Sequence, residues 1–398
     1  MNFNISESLN KLPPYLFVEI DKAKRKARQE LRDIIDLGIG DPDLPTPEYI
    51  IQRLCQAVQD PSTHRYALDQ GMPSLRQAIA NWYKDRFQVA LDPETEILPL
   101  IGSKEGIAHF PLAFINKGDY SLIPDPCYPP YKGGTIIAGG KPYLMPLKED
   151  NAFLPRLDKI PASVVKKAKL IYINYPNNPT AAVATGDFYR EVVKFASLNN
   201  IIVISDLAYS EMAYDGYRPP SFLSVEGARE VGIEFHSLSK TYNMTGWRIG
   251  WACGNPGLVS ALAKVKSNLD SGIFSAIQLT GVSALEGGQG HVSKMCGIYQ
   301  ERRDTLINGL NSLGWKATPM KATFYLWLKI PRKIYAAALG KGNRVDSIKF
   351  CAFLLDKADI VVTPGVGFGK YGEGYIRMAL TVPKEKIVQA LERLKKVL

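Results

Sequence analysis

The stretch LIYINYPNNPTAAVATGDFYREVVKFASLNNIIVISD, residues 170–206, places a helical pattern between two short apolar runs. The runs LIYIN (170–174) and IIVISD (201–206) have the length and residue types of buried strands, and DFYREVVKFASLNN (187–200) has the spacing of an amphipathic helix. A helix between two strands is typical of a parallel pair, because the chain must cross back over the sheet before the second strand begins. The stretch therefore predicts an α/β fold.

The alternation of strands and helices continues toward the C-terminus. The apolar runs IEFHSLS (233–239) and RIGWACG (248–254) predict two further strands, and LVSALAKVKSNL (258–269) predicts a helix. From about residue 292 a long helical pattern begins, followed by strands, helices and the amphipathic segment KEKIVQALERLKKVL (384–398). We therefore expect a large domain with a mainly parallel sheet flanked by helices, and a smaller α+β domain.

The length and composition exclude several classes of protein. A chain of 398 residues exceeds the size at which a single core usually stops growing, and 46% hydrophobic with 22% charged residues is typical of a soluble globular protein. No uncharged apolar run approaches the roughly 18 residues of a membrane span, and the first residues lack the pattern of a signal peptide. The five scattered cysteines and four histidines have no metal-ligand spacing. We expect reduced thiols in a cytoplasmic protein, with no disulfide framework and no metal.

The net charge of +10 has two interpretations. A basic protein can bind nucleic acid or an anionic membrane. However, the basic residues are spread along the chain, and the one cluster, KAKRKAR (22–28), lies in a helical pattern with acidic residues on both sides. We interpret the charge as a solvated surface and expect neither a nucleic-acid nor a membrane partner.

A glycine-rich segment near the C-terminus, GFGKYG (367–372), fits the spacing G-x-G-x-x-G of dinucleotide-binding sites. Such a site requires a strand before the glycines and a helix that opens within them. The residues that follow, EGYIRMAL, have instead the pattern of a strand. We interpret the segment as a loop between strands.

The segment HSLSKTYNMTGWRIG, residues 236–250, places Lys240 at the end of a predicted buried strand. Most lysines are solvated surface charges, and a buried one requires a partner or a chemical reason. A lysine in such a place loses its proton easily and can attack a carbonyl carbon to form a Schiff base. The sequence therefore makes Lys240 a candidate nucleophile toward an aldehyde.

Two groups of residues are suited to bind a phosphate. Ser237, Ser239 and Arg248 surround the lysine in sequence and provide two hydroxyl donors and a guanidinium. Ser103 and Lys104 come at the start of a predicted helix, whose free N–H groups and dipole favour an anion. An aldehyde that carries a phosphate is pyridoxal phosphate, which we predict as the cofactor.

The ring of that cofactor makes further demands on the protein. Its nitrogen stays protonated when a buried carboxylate lies opposite, and Asp206 ends an apolar strand, where ligands gather in open α/β sheets. The alternative for Asp206 is a helix N-cap. Tyr209 and Asn178 can donate to the phenolic oxygen, and Tyr128, in a loop stiffened by prolines, can stack on the ring.

Together these motifs resemble the class I and II aminotransferases, which have fold type I and use pyridoxal phosphate. The resemblance covers nearly the whole chain, and its most specific motif is SLSKTYNMTGWRIGW (237–251). The other matching segments, in chain order, are GIGDPD, YALDQGMPSLRQAIANWY, GSKEGIAHF, DPCYPPY, NYPNNPT, SDLAYSE and YIRMAL. The resemblance implies an aspartate-aminotransferase-like fold, with a large cofactor-binding domain over residues 47–291 and a small domain built from residues 1–46 and 292–398.

The resemblance also implies a role for each matching residue. Lys240 would form the Schiff base with the cofactor and move a proton between the substrate Cα and the cofactor C4′. Arg377 would bind the substrate α-carboxylate, next to Gly40 and Asn178. Tyr66 would reach the phosphate in the neighbouring subunit of a homodimer whose active sites are shared between subunits. The other residues would hold the cofactor: Ser103, Lys104, Ser237, Ser239 and Arg248 at the phosphate, Asp206 at the ring nitrogen, Asn178 and Tyr209 at the phenolic oxygen, and Tyr128 on the ring.

A narrower resemblance is to LL-diaminopimelate aminotransferases, in the segments HRYALDQGMPSLRQAIA, IGSKEGIAHFPLAFINKGD and SLSKTYNMTGWRIGWACGN. It implies transfer of an amino group between LL-diaminopimelate or tetrahydrodipicolinate and glutamate or 2-oxoglutarate, in lysine biosynthesis. Aspartate and alanine aminotransferases share most of these motifs and stay alternatives, and a C–S lyase or a non-enzymatic regulator is less favoured. One departure from the family is Ala181, at a position where glycine is usual, which we expect to alter a turn and leave the chemistry unchanged.

Overall fold

A computed structural model describes residues 3–12, 16–67, 70–340 and 345–398, so that Leu68 and Asp69 of the motif YALDQGM lie outside the described residues. The strands found in these ranges are β1 (Ile35–Asp36), β2 (Ile97–Leu100), β3 (Tyr120–Asp125), β4 (Lys141–Pro146), β5 (Ala168–Asn174), β6 (Ile202–Asp206), β7 (Gly232–Ser237), β8 (Gly250–Gly254), β9 (Tyr325–Lys329), β10 (Ile360–Val361), β11 (Thr363–Pro364) and β12 (Tyr375–Ala379).

Helices surround and connect these strands. The α-helices are α1 (Glu7–Asn10), α2 (Leu16–Gln29), α3 (Glu48–Ala57), α4 (Pro73–Phe87), α5 (Ser103–His109), α6 (Pro111–Phe114), α7 (Pro130–Ile137), α8 (Ala162–Val165), α9 (Gly186–Asn199), α10 (Ala228–Val231), α11 (Leu238–Thr241), α12 (Pro256–Leu269), α13 (Ser275–Glu286), α14 (Gly290–Ser312), α15 (Arg332–Leu339), α16 (Ser347–Ala358) and α17 (Lys384–Val397). Short 3-10 helices occupy Pro61–His64, Glu149–Asn151, Leu157–Lys159, Phe222–Ser224, Thr245–Trp247, Gly365–Phe368 and Lys370–Gly372. Within the described part of the chain, no helix is both long and apolar enough to cross a bilayer.

The central sheet has the strand order β2-β8-β7-β6-β5-β3-β4. β8 runs antiparallel to both of its neighbours, and the other pairs of the sheet are parallel. Nearly every residue of the inner strands is buried, as expected for a sheet with helices on both faces. The prediction of a mainly parallel sheet flanked by helices is confirmed.

The unit β5–α9–β6 shows how local sequence sets up the edge of this sheet. α9 begins after Thr185, whose hydroxyl accepts a hydrogen bond from the backbone N–H of Phe188 (3.4 Å), and it ends where Asn200 adopts a left-handed conformation. The two strands pair in parallel, in a register that places Asn174 beside Asp206. The carboxyl ends of the strands, with their polar side chains, therefore meet at one edge.

A second, smaller sheet is formed by β11, β12 and β9, which pair antiparallel. Near it, β1 pairs in parallel with β10, so that Ile35 lies opposite Ile360. This pairing joins a segment close to the N-terminus with one close to the C-terminus, and the predicted small domain includes both segments. The boundaries at residues 47 and 292 stay a prediction.

Two predicted strands begin or end differently in the structure, and both differences fall at the candidate lysine motif. β7 ends at Ser237, because the Ser237 hydroxyl accepts a hydrogen bond from the backbone N–H of Ser239 (3.1 Å) and starts the one-turn helix α11. Lys240 therefore lies on a helical turn, and its predicted place at a strand end was wrong. β8 begins only at Gly250, because Arg248 adopts a left-handed conformation (φ 55°).

The glycine-rich segment 367–372 lies between β11 and β12 and is formed by parts of two 3-10 helices. Its interpretation as a loop between strands is confirmed, and EGYIRMAL contains β12 as predicted.

Candidate active site

A cavity of about 470 Å³ opens at the carboxyl edge of the central sheet. Residues from β6, α5, α11, β12 and the loops between them line it. Twelve of the residues predicted from sequence are in this lining: Gly40, Ser103, Lys104, Tyr128, Asn178, Asp206, Tyr209, Ser237, Ser239, Lys240, Arg248 and Arg377. The structure therefore brings together residues that are separated by more than three hundred positions in the chain.

Lys240 projects into this cavity from α11, and its Nζ donates a hydrogen bond to the carbonyl oxygen of Gly40 (3.0 Å). Burial lowers the pKa of Lys240 to about 8, and the positive charges of Arg377 and Arg248 act in the same direction, whereas Asp41 opposes them. About a tenth of the amine is therefore neutral at pH 7, far more than for an ordinary lysine, and the neutral form is the one that attacks a carbonyl or accepts a proton.

Asp206 ends β6 and is 5% exposed. Its Oδ2 accepts a hydrogen bond from the hydroxyl of Tyr131 (2.7 Å), and its Oδ1 is buried with no hydrogen-bond partner. Burial raises the pKa of Asp206 to about 6, against the hydrogen bonds that lower it. Turns follow Asp206 instead of a helix, so the alternative interpretation as a helix N-cap was wrong. A buried carboxylate oxygen without a partner fits a cationic N–H group of a ligand.

The end of the cavity next to α5 is suited to an anion. A Cβ atom on Gly102 would lie 2.2 Å from Nη2 of Arg248, so only a glycine lets this guanidinium approach the first turn of α5. The other guanidinium nitrogen, Nη1, donates to the carbonyl oxygen of Thr245 (2.7 Å). Lys104 is exposed at the cavity wall, and Ser103 opens the helix beside it. The arrangement offers one guanidinium, one ammonium and hydroxyl groups, which match a phosphate.

At the opposite side of the cavity Arg377 is almost completely buried, with 3% of its surface exposed. Its Nη1 donates to Oδ1 of Asn178 (2.9 Å), and its Nη2 donates to the carbonyl oxygen of Gly38 (2.9 Å). Since Oδ1 of Asn178 accepts from Arg377, the amide nitrogen of Asn178 stays available as a donor toward the cavity. A guanidinium held in this way presents a charge suited to a planar carboxylate.

Two tyrosines of the predicted set occupy different walls. Tyr128 lies in the loop between β3 and α7, and its ring makes an edge contact with the ring of Tyr131, with centroids 5.8 Å apart. Tyr209 is buried, which raises its pKa, and its hydroxyl lies 3.1 Å from the hydroxyl of Tyr325. Both residues line the cavity together with Asp206 and Lys240.

Tyr66 is the one predicted residue that the structure does not bring to this cavity. Its side chain is 95% exposed and is not part of the lining. This is compatible with a role in a neighbouring subunit, and the role itself stays a prediction.

Sequence reasoning missed several residues of the site. Tyr131, the partner of Asp206, lies three residues after Tyr128 in DPCYPPY, and this helical spacing could have identified it. Tyr325 and Phe368 also line the cavity; no motif includes Tyr325, and Phe368 belongs to the segment GFGKYG, which we interpreted only as a loop. Ala181 adopts a left-handed conformation (φ 57°), which explains why glycine is usual at its position.

The chain is similar in sequence and in structure to known proteins. Residues 32–394 match the sequence model of the family described as aminotransferase class I and II. LL-diaminopimelate aminotransferase from Syntrophobacter fumaroxidans is 54% identical over 397 residues, with both chains fully covered, and that from Desulforudis audaxviator is 52% identical, over 99% of this chain and 98% of the other. The substrate-bound BacF structure from Bacillus subtilis superimposes with a TM-score of 0.92 at 38% identity, over 100% of this chain and 98% of that one.

Proposed function

Because this chain belongs to the class I and II aminotransferases, we propose that it transfers an amino group between LL-diaminopimelate or tetrahydrodipicolinate and glutamate or 2-oxoglutarate, in lysine biosynthesis. It is a pyridoxal-phosphate-dependent transaminase. The observation that carries the proposed substrate is the identity of 50% or more, over nearly the whole chain, to relatives named LL-diaminopimelate aminotransferase.

The residues of the cavity fit pyridoxal phosphate. The buried Oδ1 of Asp206 lacks a partner that a protonated ring nitrogen would supply, and Arg248 with the residues around α5 fits the phosphate. Lys240 is the amine for the aldehyde, Tyr209 and the amide nitrogen of Asn178 would donate to the phenolic oxygen, and Tyr128 would lie on the ring. When bound, the cofactor supplies an aldehyde carbon that condenses with amines and a protonated ring that accepts the electron pair released at the substrate Cα.

Lys240 acts as the base in this proposal. Its Nζ would take the proton from the substrate Cα and deliver it to the cofactor C4′, which requires a neutral amine. The pKa of about 8 keeps this form accessible near neutral pH, and the hydrogen bond to Gly40 shows that Nζ reaches the cavity wall. Asp206, at the far end of the cavity, keeps the negative charge that the protonated ring nitrogen requires.

Arg377 positions the substrate. Its hydrogen bonds to Asn178 and Gly38 fix the orientation of the guanidinium, so that a bound α-carboxylate would have a fixed direction relative to Lys240. Gly40 lies beside it, and a Cβ there would collide with Tyr325. The absence of a side chain at position 40 thus lets the ring of Tyr325 lie close to this part of the chain.

The proposed active form is a homodimer in which Tyr66 of one subunit contributes to the phosphate site of the other. The exposure of Tyr66 on the single chain supports this arrangement. The five cysteines are all free thiols, which supports a place in the reducing cytoplasm. Analytical ultracentrifugation tests the assembly, since a sharing of sites requires a dimer at assay concentration and a monomeric active species would contradict it.

The substrate is tested by a coupled assay with LL-diaminopimelate and 2-oxoglutarate, run beside aspartate and alanine as amino donors. We expect glutamate to form with a kcat/KM for LL-diaminopimelate at least about tenfold above either alternative donor, a difference of about 1.4 kcal/mol in transition-state binding. A preference for aspartate or alanine would contradict the substrate and leave the transaminase in place. Release of pyruvate and ammonia, without 2-oxoglutarate, from an amino acid with a sulfur substituent on its β-carbon would indicate a lyase.

A further inference from the structure

Tyr325 is a wall residue of the cavity to which neither the motifs nor the roles proposed above give a function. It is the first residue of β9, it is 2% exposed, and it lies at the point where β9 meets the loop after β6. We propose that Tyr325 is a positioning residue that fixes Arg377 and the hydroxyl of Tyr209 relative to each other. This inference rests on the roles proposed for Arg377 and Tyr209.

The ring of Tyr325 supports one face of Arg377. In the register of β9 with β12, Tyr325 lies opposite Ala379 and Arg377 lies opposite Trp327, so Tyr325 and Arg377 are diagonal neighbours on the same face. The guanidinium carbon lies 4.0 Å from the centre of the Tyr325 ring and 4.6 Å from the centre of the Phe368 ring. Two aromatic rings therefore restrict the plane of the guanidinium, and its two hydrogen bonds restrict its rotation within that plane.

The hydroxyl of Tyr325 acts on a different residue. It lies 3.1 Å from the hydroxyl of Tyr209, and the two rings meet edge to face with centroids 5.7 Å apart. Since Tyr209 has one hydroxyl hydrogen, donation from Tyr325 to Tyr209 leaves that hydrogen for an acceptor in the cavity. In a buried pair each hydrogen bond strengthens the next one, so Tyr325 makes Tyr209 a better donor.

A strained backbone residue, Thr323, and its hydrogen bonds hold Tyr325 in position. Thr323, two residues before it, is a β-branched residue with φ 69°, a conformation that costs energy and persists only where neighbours hold it. The neighbours are in the segment after Tyr209: the backbone N–H of Thr323 donates to the carbonyl oxygen of Met212 (2.8 Å), and the hydroxyl of Tyr214 donates to the carbonyl oxygen of Thr323 (2.6 Å). These contacts connect the start of β9 with the chain that carries Tyr209.

Different substitutions separate the two effects of Tyr325. Tyr325→Phe removes the hydroxyl and keeps the ring beneath Arg377, whereas Phe368→Leu removes the other ring and does not touch the hydroxyl pair. Tyr325→Leu removes both contacts. Tyr335→Phe is a matched control, because Tyr335 is also a buried tyrosine of the C-terminal part of the chain but is not in the cavity lining.

The first readout is the pH midpoint of the visible absorbance of the bound cofactor, which responds to donors at its phenolic oxygen. Tyr325→Phe should raise this midpoint by about 0.5 unit, because the variant loses one hydrogen bond between neutral groups. Phe368→Leu and Tyr335→Phe should leave the midpoint unchanged. Tyr209→Phe should raise it further, and the double variant Tyr209→Phe/Tyr325→Phe should show the same midpoint as Tyr209→Phe alone, because Tyr325 acts through Tyr209.

The second readout is the KM for the amino acid and the 2-oxo acid. Tyr325→Leu and Phe368→Leu should each raise both KM values by about tenfold with a smaller change in kcat, and Tyr325→Phe should change them by less than about threefold. If Tyr209→Phe shifts the midpoint and Tyr325→Phe does not, the proposed role of Tyr325 is wrong and the proposed role of Tyr209 still stands. An unshifted Tyr209→Phe would show that the proposed role of Tyr209 is wrong, and the inference would be wrong with it.

Discussion

Gly102 provides a test of the phosphate end of the cavity that does not touch a side chain of the site. In the variant Gly102→Ala the new Cβ would lie 2.2 Å from Nη2 of Arg248, whereas nonbonded atoms rest about 3.5 Å apart. The guanidinium is the end of a flexible side chain, so it can retreat by about 1 Å without disturbing the core. That movement takes it away from the place where it would meet the phosphate.

The expected magnitude follows from the loss of one charge-assisted hydrogen bond. Such a bond contributes about 1.5–3 kcal/mol, which corresponds to cofactor binding that is about tenfold to hundredfold weaker. Gly102 also has φ 77°, so that alanine there adds backbone strain of about 1–3 kcal/mol, which lowers the melting temperature. The loss of affinity and the loss of stability therefore need separate controls.

Gly118→Ala is the matched control, because Gly118 also has a positive φ (101°) and a Cβ there meets nothing within 4 Å. Cofactor-free protein of both variants is titrated with pyridoxal phosphate, and binding is followed by absorbance. We expect both melting temperatures to fall and only Gly102→Ala to bind more weakly. Wild-type affinity in Gly102→Ala, or an equal loss in Gly118→Ala, would refute the reasoning.

Three further variants test other parts of the site and its support. Arg377→Lys keeps the positive charge but loses the two guanidinium nitrogens that donate to Asn178 and Gly38. In steady-state assays the KM for both substrates should therefore rise by about tenfold to hundredfold. An unchanged KM would show that the carboxylate binds elsewhere. Asp206→Asn can still accept from Tyr131 but carries no charge, so kcat should fall by about a hundredfold or more, and wild-type turnover would remove Asp206 from the mechanism. Burial raises the pKa of Glu234 from 4.5 to about 7. The contribution of the protonated form to the free energy of unfolding is therefore complete below pH 4.5 and is lost as the pH rises to 7. Glu234→Gln should abolish this fall of about 3 kcal/mol in urea unfolding, and an unchanged pH dependence would contradict the burial argument.

The elements that the sequence predicted well are those whose signal is local. The strands around residues 170–206 and the helix between them have both a hydrophobic period and clear ends, such as the Thr185 cap and the left-handed Asn200. Asn178, Asp206 and Lys240 were also predictable as site residues, because each lies at or shortly after the carboxyl end of a parallel strand of the central sheet.

The rest depends on contacts between distant segments. Tyr325 reaches the cavity because β9 pairs with β12 in one register and because Thr323 is held by the loop after Tyr209, and no pattern within β9 expresses either condition. The sequence predicted the end of β7 too late, because the apolar pattern continues beyond Ser237. It is the hydrogen bond to the Ser237 hydroxyl that starts α11 at this point.

The most direct test of the proposed chemistry is to identify the lysine that holds the cofactor. Protein reconstituted with pyridoxal phosphate is reduced with borohydride and digested, and the peptides are analysed by mass spectrometry. We expect the reduced cofactor on the peptide that contains Lys240, and no labelled peptide from Lys240→Ala. A label on another lysine of the cavity, such as Lys104, or the same labelling in Lys240→Ala, would contradict the assignment of the active site.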